Sequence, residues 1–264
     1  MSTALDRIIA YKRDEIAVLK QQQSEQALLA MAQTQAPPRG FATRLSEISA
    51  NDENALICEM KRKSPSAGDI LPGADPCEIA AQYERGGAAC LSVLTDGPSF
   101  GGSLEDFGAI RRAVSLPMLR KDFMIDTLQV AEARAHGADA VLVILSCTDD
   151  ALALDLTQAA LDLGMDALIE THDAEEIERA LDLPSSLIGI NNRDLKIMQT
   201  DLATSEELSR LIPNDRQFVS ESGIRDPGDI SRLRKIGARR FLIGESLMKR
   251  ADRENHVQAL RQAK

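Results

Sequence analysis

Eight short runs of aliphatic residues, each followed by a longer amphipathic segment, constrain the fold of this 264-residue chain more than any other feature. Several of the runs are almost continuously apolar, as expected of parallel strands that are buried on both faces. Such alternation predicts βα units around a parallel sheet. The runs begin at Ala55, Ala89, Pro117, Asp139, Asp166, Leu187, Gln217 and Arg239.

The junctions between the segments repeat as well. A glycine follows a helical pattern and precedes a strand at Gly87, Gly137, Gly164 and Gly237, as a left-handed C-terminal cap requires. Helix starts are marked by a short polar acceptor or a proline at Asp75-Pro76, Ser103, Asp149, Asp173, Asp201 and Asp226-Pro227. Eight repeated units favour an α/β fold of the (β/α)8 TIM-barrel type over an open doubly wound sheet, which the count alone leaves open.

An amphipathic stretch precedes the first strand. Its apolar residues recur at helical spacing and are Leu5, Ile8, Ile9, Ile16 and Leu19. We interpret residues 1–53 as an N-terminal helical extension, either a lid over one end of the barrel or a packing appendage, because about 50 residues make a marginal core alone. The predicted organisation is one domain, 1–264, with the barrel in 54–264.

Composition narrows the function and the compartment. A net charge of −10 opposes nonspecific attraction to nucleic acid or anionic lipid, and a chain without Trp offers few stacking platforms. There is neither an apolar stretch of about 20 residues nor a leader-like start. The four cysteines and three histidines show no metal-ligand spacing. We expect a cytoplasmic monomer that binds no metal, membrane or nucleic acid.

Polar residues end several of the apolar runs. In a barrel these positions meet at the rim that carries function. Glu59 and Lys61 lie two apart, so both side chains face the same way. The other residues of this kind are Lys121, Glu170, Asn191, Glu221 and Ser222.

A lone charge at a strand end is usually solvated and contributes less than about 1 kcal/mol. Two ammonium groups about 4 Å apart, however, would repel by roughly 4 kcal/mol at an effective dielectric constant of 20. Carboxylates or an anionic substrate must then compensate for the repulsion between Lys61 and Lys121. Such a cluster could tune one lysine as an acid and one glutamate as a proton acceptor.

The last two predicted strands end in glycine. Gly223 lies in SESGIR and Gly244 in LIGESLM. A single glycine at such a place usually means a tight turn, but barrels often bind phosphate through backbone N–H groups after strands seven and eight. The pair of glycines therefore predicts a phosphate cradle.

Six segments resemble the motifs of the indole-3-glycerol phosphate synthase family. They are CEMKRKSPSAG from Cys58, LRKDF from Leu119, LIETHD from Leu168, GINNRDL from Gly189, SESGI from Ser220 and LIGESLM from Leu242. The most specific is E-x-K-x-x-S-P-S, which includes Ser64 and Ser66, and AYKRDEI in the extension is also similar. The resemblance implies ring closure of 1-(2-carboxyphenylamino)-1-deoxyribulose 5-phosphate, with loss of carbon dioxide and water and no cofactor.

The same resemblance implies roles for individual residues. Lys121 would be the general acid for the substrate carbonyl or the departing hydroxyl, and Glu170 the partner acid or base in the dehydration. Lys61 would pair with the anthranilate carboxylate, the phosphate or both, while Glu59 orients Lys61 and handles protons. Asn191 would hydrogen-bond the substrate. Further expected substrate contacts are Ser64, Phe100, Phe123, Arg193, Glu221, Ser222, Gly223, Gly244 and Glu245.

Two of these assignments are limited by the sequence, and one further residue, His172, allows two interpretations. Glu245 is acidic beside the predicted phosphate, so only its backbone N–H is expected to help. Phe100 lies in GPSFGGS, a predicted mobile loop, and it could face the substrate ring or simply pack. His172 could line the rim or be a structural histidine.

Other functions fit parts of the same pattern. A phosphoribosyl isomerase or a tryptophan synthase α subunit would share the phosphate cradle, and a noncatalytic phosphosugar-binding barrel would share the pocket. The Glu59/Lys61 pair with Lys121 favours the synthase over an isomerase. Every charged position of the motifs is occupied by a competent residue, which argues against loss of turnover.

Overall fold

A closed barrel of parallel strands forms the centre of the computed structural model, which describes residues 4–65, 68–194 and 199–264. Each strand pairs with its neighbours in the chain, and the last pairs with the first through Ala55 and Arg240. The sheet therefore has no open edge, which confirms the (β/α)8 prediction and excludes the doubly wound alternative. Its strands are β1 Ala55–Met60, β2 Cys90–Leu94, β3 Met118–Lys121, β4 Ala140–Ile144, β5 Asp166–Thr171, β6 Leu187–Asn191, β7 Gln217–Glu221 and β8 Arg240–Ile243.

Helices surround the barrel and close its ends. They are α1 Ala4–Gln22, α2 Glu25–Thr34, α3 Phe41–Ala50, α4 Pro76–Arg85, α5 Gly97–Phe100, α6 Leu104–Ala113, α7 Thr127–Ala135, α8 Asp150–Asp162, α9 Ala174–Leu181, α10 Ala203–Leu208, α11 Pro227–Arg234, α12 Glu245–Met248 and α13 Arg253–Gln262. After β1, Lys63–Ser64 pairs antiparallel with Gly68–Asp69. Within the described ranges, no helix is long and apolar enough to span a membrane.

Most helix boundaries follow the predicted capping residues. Side chains accept N–H groups of the first turn at Asp75, Ser103, Asp149, Asp173 and Asp226. Asp201 lies one residue before the N-cap of α10 and accepts from Ala203 N–H. The four junction glycines have φ between 73° and 89°, so their left-handed conformation is as predicted.

The α3 helix seals the amino end of the barrel. Its Phe41 and Leu45 are fully buried and pack with Ala55, Ala140 and Leu187, which begin or lie near the beginning of barrel strands. Burying such side chains stabilises the structure by about 1.5–3 kcal/mol each. The extension thus forms the floor of the barrel.

The α1 helix lies at the opposite end. The Lys12 ammonium is 2.8 Å from an Asp122 carboxylate oxygen and 3.0 Å from one of Asp96, and the Tyr11 hydroxyl donates to Asp96 at 2.7 Å. Asp122 directly follows β3, and Asp96 lies two residues after β2, so both are at the carboxyl rim. The sequence left open a lid over one end or a packing appendage; in the structure α3 packs at the amino end and α1 at the carboxyl rim.

The first prediction concerns this attachment of α1. Lys12→Met should lower the free energy of unfolding by about 3 kcal/mol or more, because it leaves two buried carboxylates without their shared cation. Lys20→Met is the matched control, since Lys20 pairs with Asp126 on the exposed side of the same helix. That variant should lose less than about 1 kcal/mol. Urea unfolding of both variants measures the difference, and equal losses would contradict the prediction.

Candidate active site

A cavity of about 460 Å³ opens at the carboxyl rim, between the strand ends and α1. Its wall contains Leu5 and Ile8 of α1. The predicted site residues that line it are Glu59, Lys61, Ser64, Phe100, Lys121, Phe123, Glu170, Asn191, Arg193, Ser222, Gly223, Gly244 and Glu245. These residues come from seven of the eight βα units, and Leu142 and Ile144 of β4 complete the wall.

Lys121 lies among three carboxylates. Its Nζ is 2.7 Å from Glu221 Oε2, 3.5 Å from Glu170 Oε2 and 3.6 Å from Glu59 Oε2. Each partner comes from a different strand, so the arrangement requires a closed barrel. We call these four residues the Lys121 cluster.

Glu221 departs from its predicted role as a substrate contact. Its side chain has no exposed surface, and its carboxylate lies beneath Lys121 rather than in the cavity wall. The Oε1 atom of Glu221 has no hydrogen-bond partner. The geometry makes Glu221 a partner of Lys121.

Two further contacts orient the cluster from the cavity side. The Lys61 Nζ is 2.6 Å from Glu59 Oε1, as expected from their spacing of two residues. The Asn191 side-chain amide donates to Glu170 Oε1 at 3.1 Å. Lys61 and Asn191 both line the cavity, so each connects the buried carboxylates to the space for a substrate.

The cluster shifts the pKa values of its members. Burial would lower the pKa of Lys121, but the three carboxylates outweigh it and raise that pKa above its usual value. Burial opposes ionisation of Glu170, yet Lys121 and His172 lower its pKa to about 2. Glu221 is shifted the other way: burial and the neighbouring carboxylates raise its pKa to about 7, although Lys121 opposes this. The site holds one firmly protonated ammonium beside carboxylates of unequal acidity.

Two glycines make room for the carboxylates. A Cβ at Gly189 in β6 would overlap Glu221 Oε1, and a Cβ at Gly244 after β8 would overlap Glu59 Oε1. The sequence suggested only a phosphate contact for Gly244 and no role for Gly189. Both glycines are needed for the packing of buried charge.

The predicted phosphate recess lies at the ends of β7 and β8. Gly223 has φ 82°, and a Cβ there would be 2.6 Å from Thr200 Cγ2. The adjacent Ser222 also has a positive φ, 64°, which is uncommon for a residue with a side chain and marks a constrained turn. This backbone lines the cavity.

The acidic side chain of Glu245 is paired with cations. Its Oε1 is 2.6 Å from Lys249 Nζ, and its Oε2 is 3.7 Å from Arg193 Nη2. The Lys249 ammonium, together with other cations nearby, lowers the pKa of Glu245. Its charge is therefore largely offset beside the glycine recess.

An aromatic pair forms another part of the wall. The rings of Phe100 and Phe123 are 6.1 Å apart between centroids and tilted by 37°. The predicted loop around Phe100 contains the helical turn α5, which Asp96 caps through Ser99 N–H. Phe100 both packs and faces the cavity, so the two alternatives do not exclude each other.

Several contributors were not predicted from the sequence. Lys12, Asp96 and Asp122 look like ordinary surface charges in a linear sequence, and only the fold brings them together. Ser66 lies outside the described residues. Among the residues that the structure describes, no group of three His, Cys, Asp or Glu side chains is placed to hold a metal ion.

This geometry defines a class of protein. A closed barrel that gathers ammonium, carboxylate and glycine backbone groups at its carboxyl rim is a (β/α)8-barrel enzyme with a site suited to a small anionic substrate.

Comparison with known proteins gives the family. The family model for indole-3-glycerol phosphate synthase matches residues 5–260. The indole-3-glycerol phosphate synthase of Hyphomonas neptunium is 66% identical over 249 residues, 94% of each chain. That of Rhodospirillum rubrum is 48% identical over 261 residues, 98% of this chain and 99% of the other, and that of Azospirillum brasilense 45% over 260 residues, with the same coverage. The chain belongs to the indole-3-glycerol phosphate synthase family.

The second prediction concerns the shifted carboxyl group. A glutamic acid should titrate near pH 7 in the folded protein, because burial opposes ionisation of Glu221. Lys121→Met should move this titration to higher pH, since the ammonium favours the charged carboxylate. Infrared difference spectra of ¹³C-glutamate-labelled protein measure the protonated carboxyl band.

Glu221→Gln should abolish the near-neutral titration. Glu245→Gln is the matched control and should leave it in place, because Glu245 is paired with Lys249 at the cavity edge. A near-neutral titration that survives Glu221→Gln would assign it to another group.

Proposed function

We propose that this chain catalyses the ring closure of 1-(2-carboxyphenylamino)-1-deoxyribulose 5-phosphate to indole-3-glycerol phosphate, with release of carbon dioxide and water, in tryptophan biosynthesis. The activity is that of a carbon–carbon lyase. The observation that carries the proposal is the Lys121 cluster, which holds an ammonium group in the wall of a cavity that Gly223 and Gly244 also line. Membership of the family supports the same activity.

Lys121 acts as the general acid. The carbon of the anthranilate ring that bears the carboxylate bonds to the substrate's carbonyl carbon, and the carbonyl oxygen receives the proton of Lys121. Loss of carbon dioxide leaves its bonding electrons in the ring and restores aromaticity. Lys121 is then reprotonated from solvent and gives a second proton to the hydroxyl formed from the carbonyl, which departs as water.

Glu170 is the proton acceptor in the dehydration. The double bond of the new ring forms as a proton leaves the substrate, and an ionised carboxylate is needed at that moment. The low pKa of Glu170 keeps it ionised, and Asn191 holds its Oε1. Its other oxygen is turned toward Lys121.

Substrate binding uses the remaining wall. Lys61, oriented by Glu59, pairs with the anthranilate carboxylate, the phosphate or both. The backbone at Gly223, Gly244 and Glu245 holds the phosphate, with Ser64, Arg193 and Ser222 as secondary contacts. Phe100 and Phe123 supply apolar surface for the aromatic ring.

The third prediction separates these two lysines. Lys121→Ala should lower kcat by about 10²–10⁴-fold with a modest change in KM, because it removes a proton donor. Lys61→Ala should lower kcat and also raise KM, because it removes a cation that faces the cavity. Indole fluorescence with the carboxyphenylamino substrate measures both variants, with Lys20→Ala as the control of the same residue type.

Two outcomes would contradict the proposal. An unchanged kcat in Lys121→Ala would remove that residue as the acid. Wild-type protein without turnover of this substrate would favour a different phosphate-binding barrel enzyme.

The fourth prediction tests the phosphate recess with a pair of glycines. Gly223→Ala should raise KM, and the inhibition constant of inorganic phosphate, by about tenfold or more, because the added methyl group meets Thr200 in the cavity wall. Gly237→Ala is the matched control, since Gly237 also has a positive φ, 87°, but an added Cβ there has open space. Gly237→Ala should lower the free energy of unfolding by about 1 kcal/mol and leave KM unchanged. Equal KM values in the two variants would place the phosphate elsewhere.

The cytoplasmic location, the monomeric state and the division into a single domain with an extension stay predictions. Size-exclusion chromatography with light scattering measures the oligomeric state.

A further inference from the structure

His172 lies between two carboxylates at the edge of the site. Its Nδ1 is 3.0 Å from Glu176 Oε2, and its backbone N–H donates to the same oxygen at 2.8 Å. On the other side, its Nε2 is 3.3 Å from Glu170 Oε1, the distance of an ion pair without hydrogen-bond alignment. Glu176, in the first turn of α9, therefore fixes the ring that faces Glu170.

This arrangement decides which way Glu170 presents its two oxygens. His172 and the Asn191 amide both approach Oε1, while Oε2 faces Lys121 at 3.5 Å. Rotation of the carboxylate would exchange these environments. The two Oε1 contacts keep Oε2 toward the reacting centre.

The ring is surrounded by more negative than positive charge. The groups that face it are the Glu170 carboxylate from β5, the strand that His172 follows, and the Glu176 carboxylate from α9. The Cys147 thiol, from the turn after β4, lies within electrostatic reach of both carboxylates, and burial raises its pKa to about 12, so it stays neutral. The Lys121 ammonium lies beyond Glu170. Burial would lower the pKa of His172, but the two carboxylates raise it to about 10, so the ring carries a positive charge at neutral pH.

A second cation beside Glu170 matters when Lys121 gives up its proton. At that step Glu170 loses the positive charge of one neighbour, and a lone buried carboxylate would bind a proton more tightly. The imidazolium of His172 is the cation that remains. His172 is not part of the cavity wall, whereas Glu170 and Asn191 are, so it acts through Glu170 and not on the substrate.

We propose that His172, held by Glu176, is a positioning residue that orients Glu170 and keeps it ionised through the proton transfer from Lys121. The inference rests on the proposed function, because it assigns the stage of the reaction at which Glu170 must stay charged. It adds His172 and the Glu176 carboxylate to the machinery suggested by the sequence motifs.

The experiment compares His172→Leu with His172→Gln. The leucine variant should lower kcat about tenfold with KM within about twofold, and its acid limb of kcat should move to higher pH, because Glu170 loses a cation and becomes easier to protonate. The glutamine variant keeps a donor but no charge, so it should recover part of kcat while its acid limb stays shifted. Glu178→Gln, a change of a neighbouring exposed carboxylate on α9, is the control and should match the wild type.

A second measurement does not need turnover. The chain has three histidines, so the signal of His172 in NMR titrations is assigned by its loss in His172→Gln. That ring should titrate well above the usual histidine range in the wild type and closer to it in Glu176→Gln. A ring that titrates in the ordinary range in the wild type would overturn the proposed clamp.

The outcomes separate the two proposals. Wild-type protein without turnover would count against the proposed function, and the NMR titration would still test the contact between His172 and its carboxylates. An active wild type with kcat and acid limb unchanged in His172→Leu would overturn the positioning role. If the leucine variant does not fold, the glutamine variant and Glu176→Gln carry the same test.

Discussion

The attraction between one buried ammonium and three buried carboxylates is the constraint on which the rest of the site depends. Lys121, Glu59, Glu170 and Glu221 come from four different strands and would each be costly to bury alone. Together they leave an excess of negative charge, which Lys61 and His172 reduce from two sides. The loss of any one of these cations therefore changes the pKa values of the carboxylates that remain.

The backbone is shaped around this charge. Gly189 and Gly244 leave the space that carboxylate oxygens occupy, so a side chain at either position would displace Glu221 or Glu59. The same glycine after β8 also borders the proposed phosphate recess. The packing of Glu59 and the proposed binding of phosphate thus both require glycine at position 244, in the LIGESLM segment.

The sequence predicted the repeated architecture well, because local signals determine it. Apolar runs, capping aspartates and left-handed glycines such as Gly87 each act within a few residues. The rim residues were also predictable, since Glu59, Lys121 and Glu170 end strands and the strands of a barrel end at the same rim.

Contacts between distant segments were harder to predict. Glu221 ends a strand as Lys121 does, and only the three-dimensional packing puts its carboxylate beneath the Lys121 ammonium. Lys12 reads as one more charge on an amphipathic helix, and its burial depends on two aspartates that follow different strands. The turn at α5 was obscured by its glycines and proline, although the Asp96 cap is a local signal.

The attachment of α1 also bears on how the chain matures during synthesis. Tyr11 and its partner Asp96 are 85 positions apart, and Lys12 needs Asp122 as well. The first helix therefore leaves the ribosome long before its binding surface exists. The α1 helix can dock at the mouth of the barrel only after the third strand and Asp122 have emerged, so a segment translated before the barrel strands is among the later ones to dock.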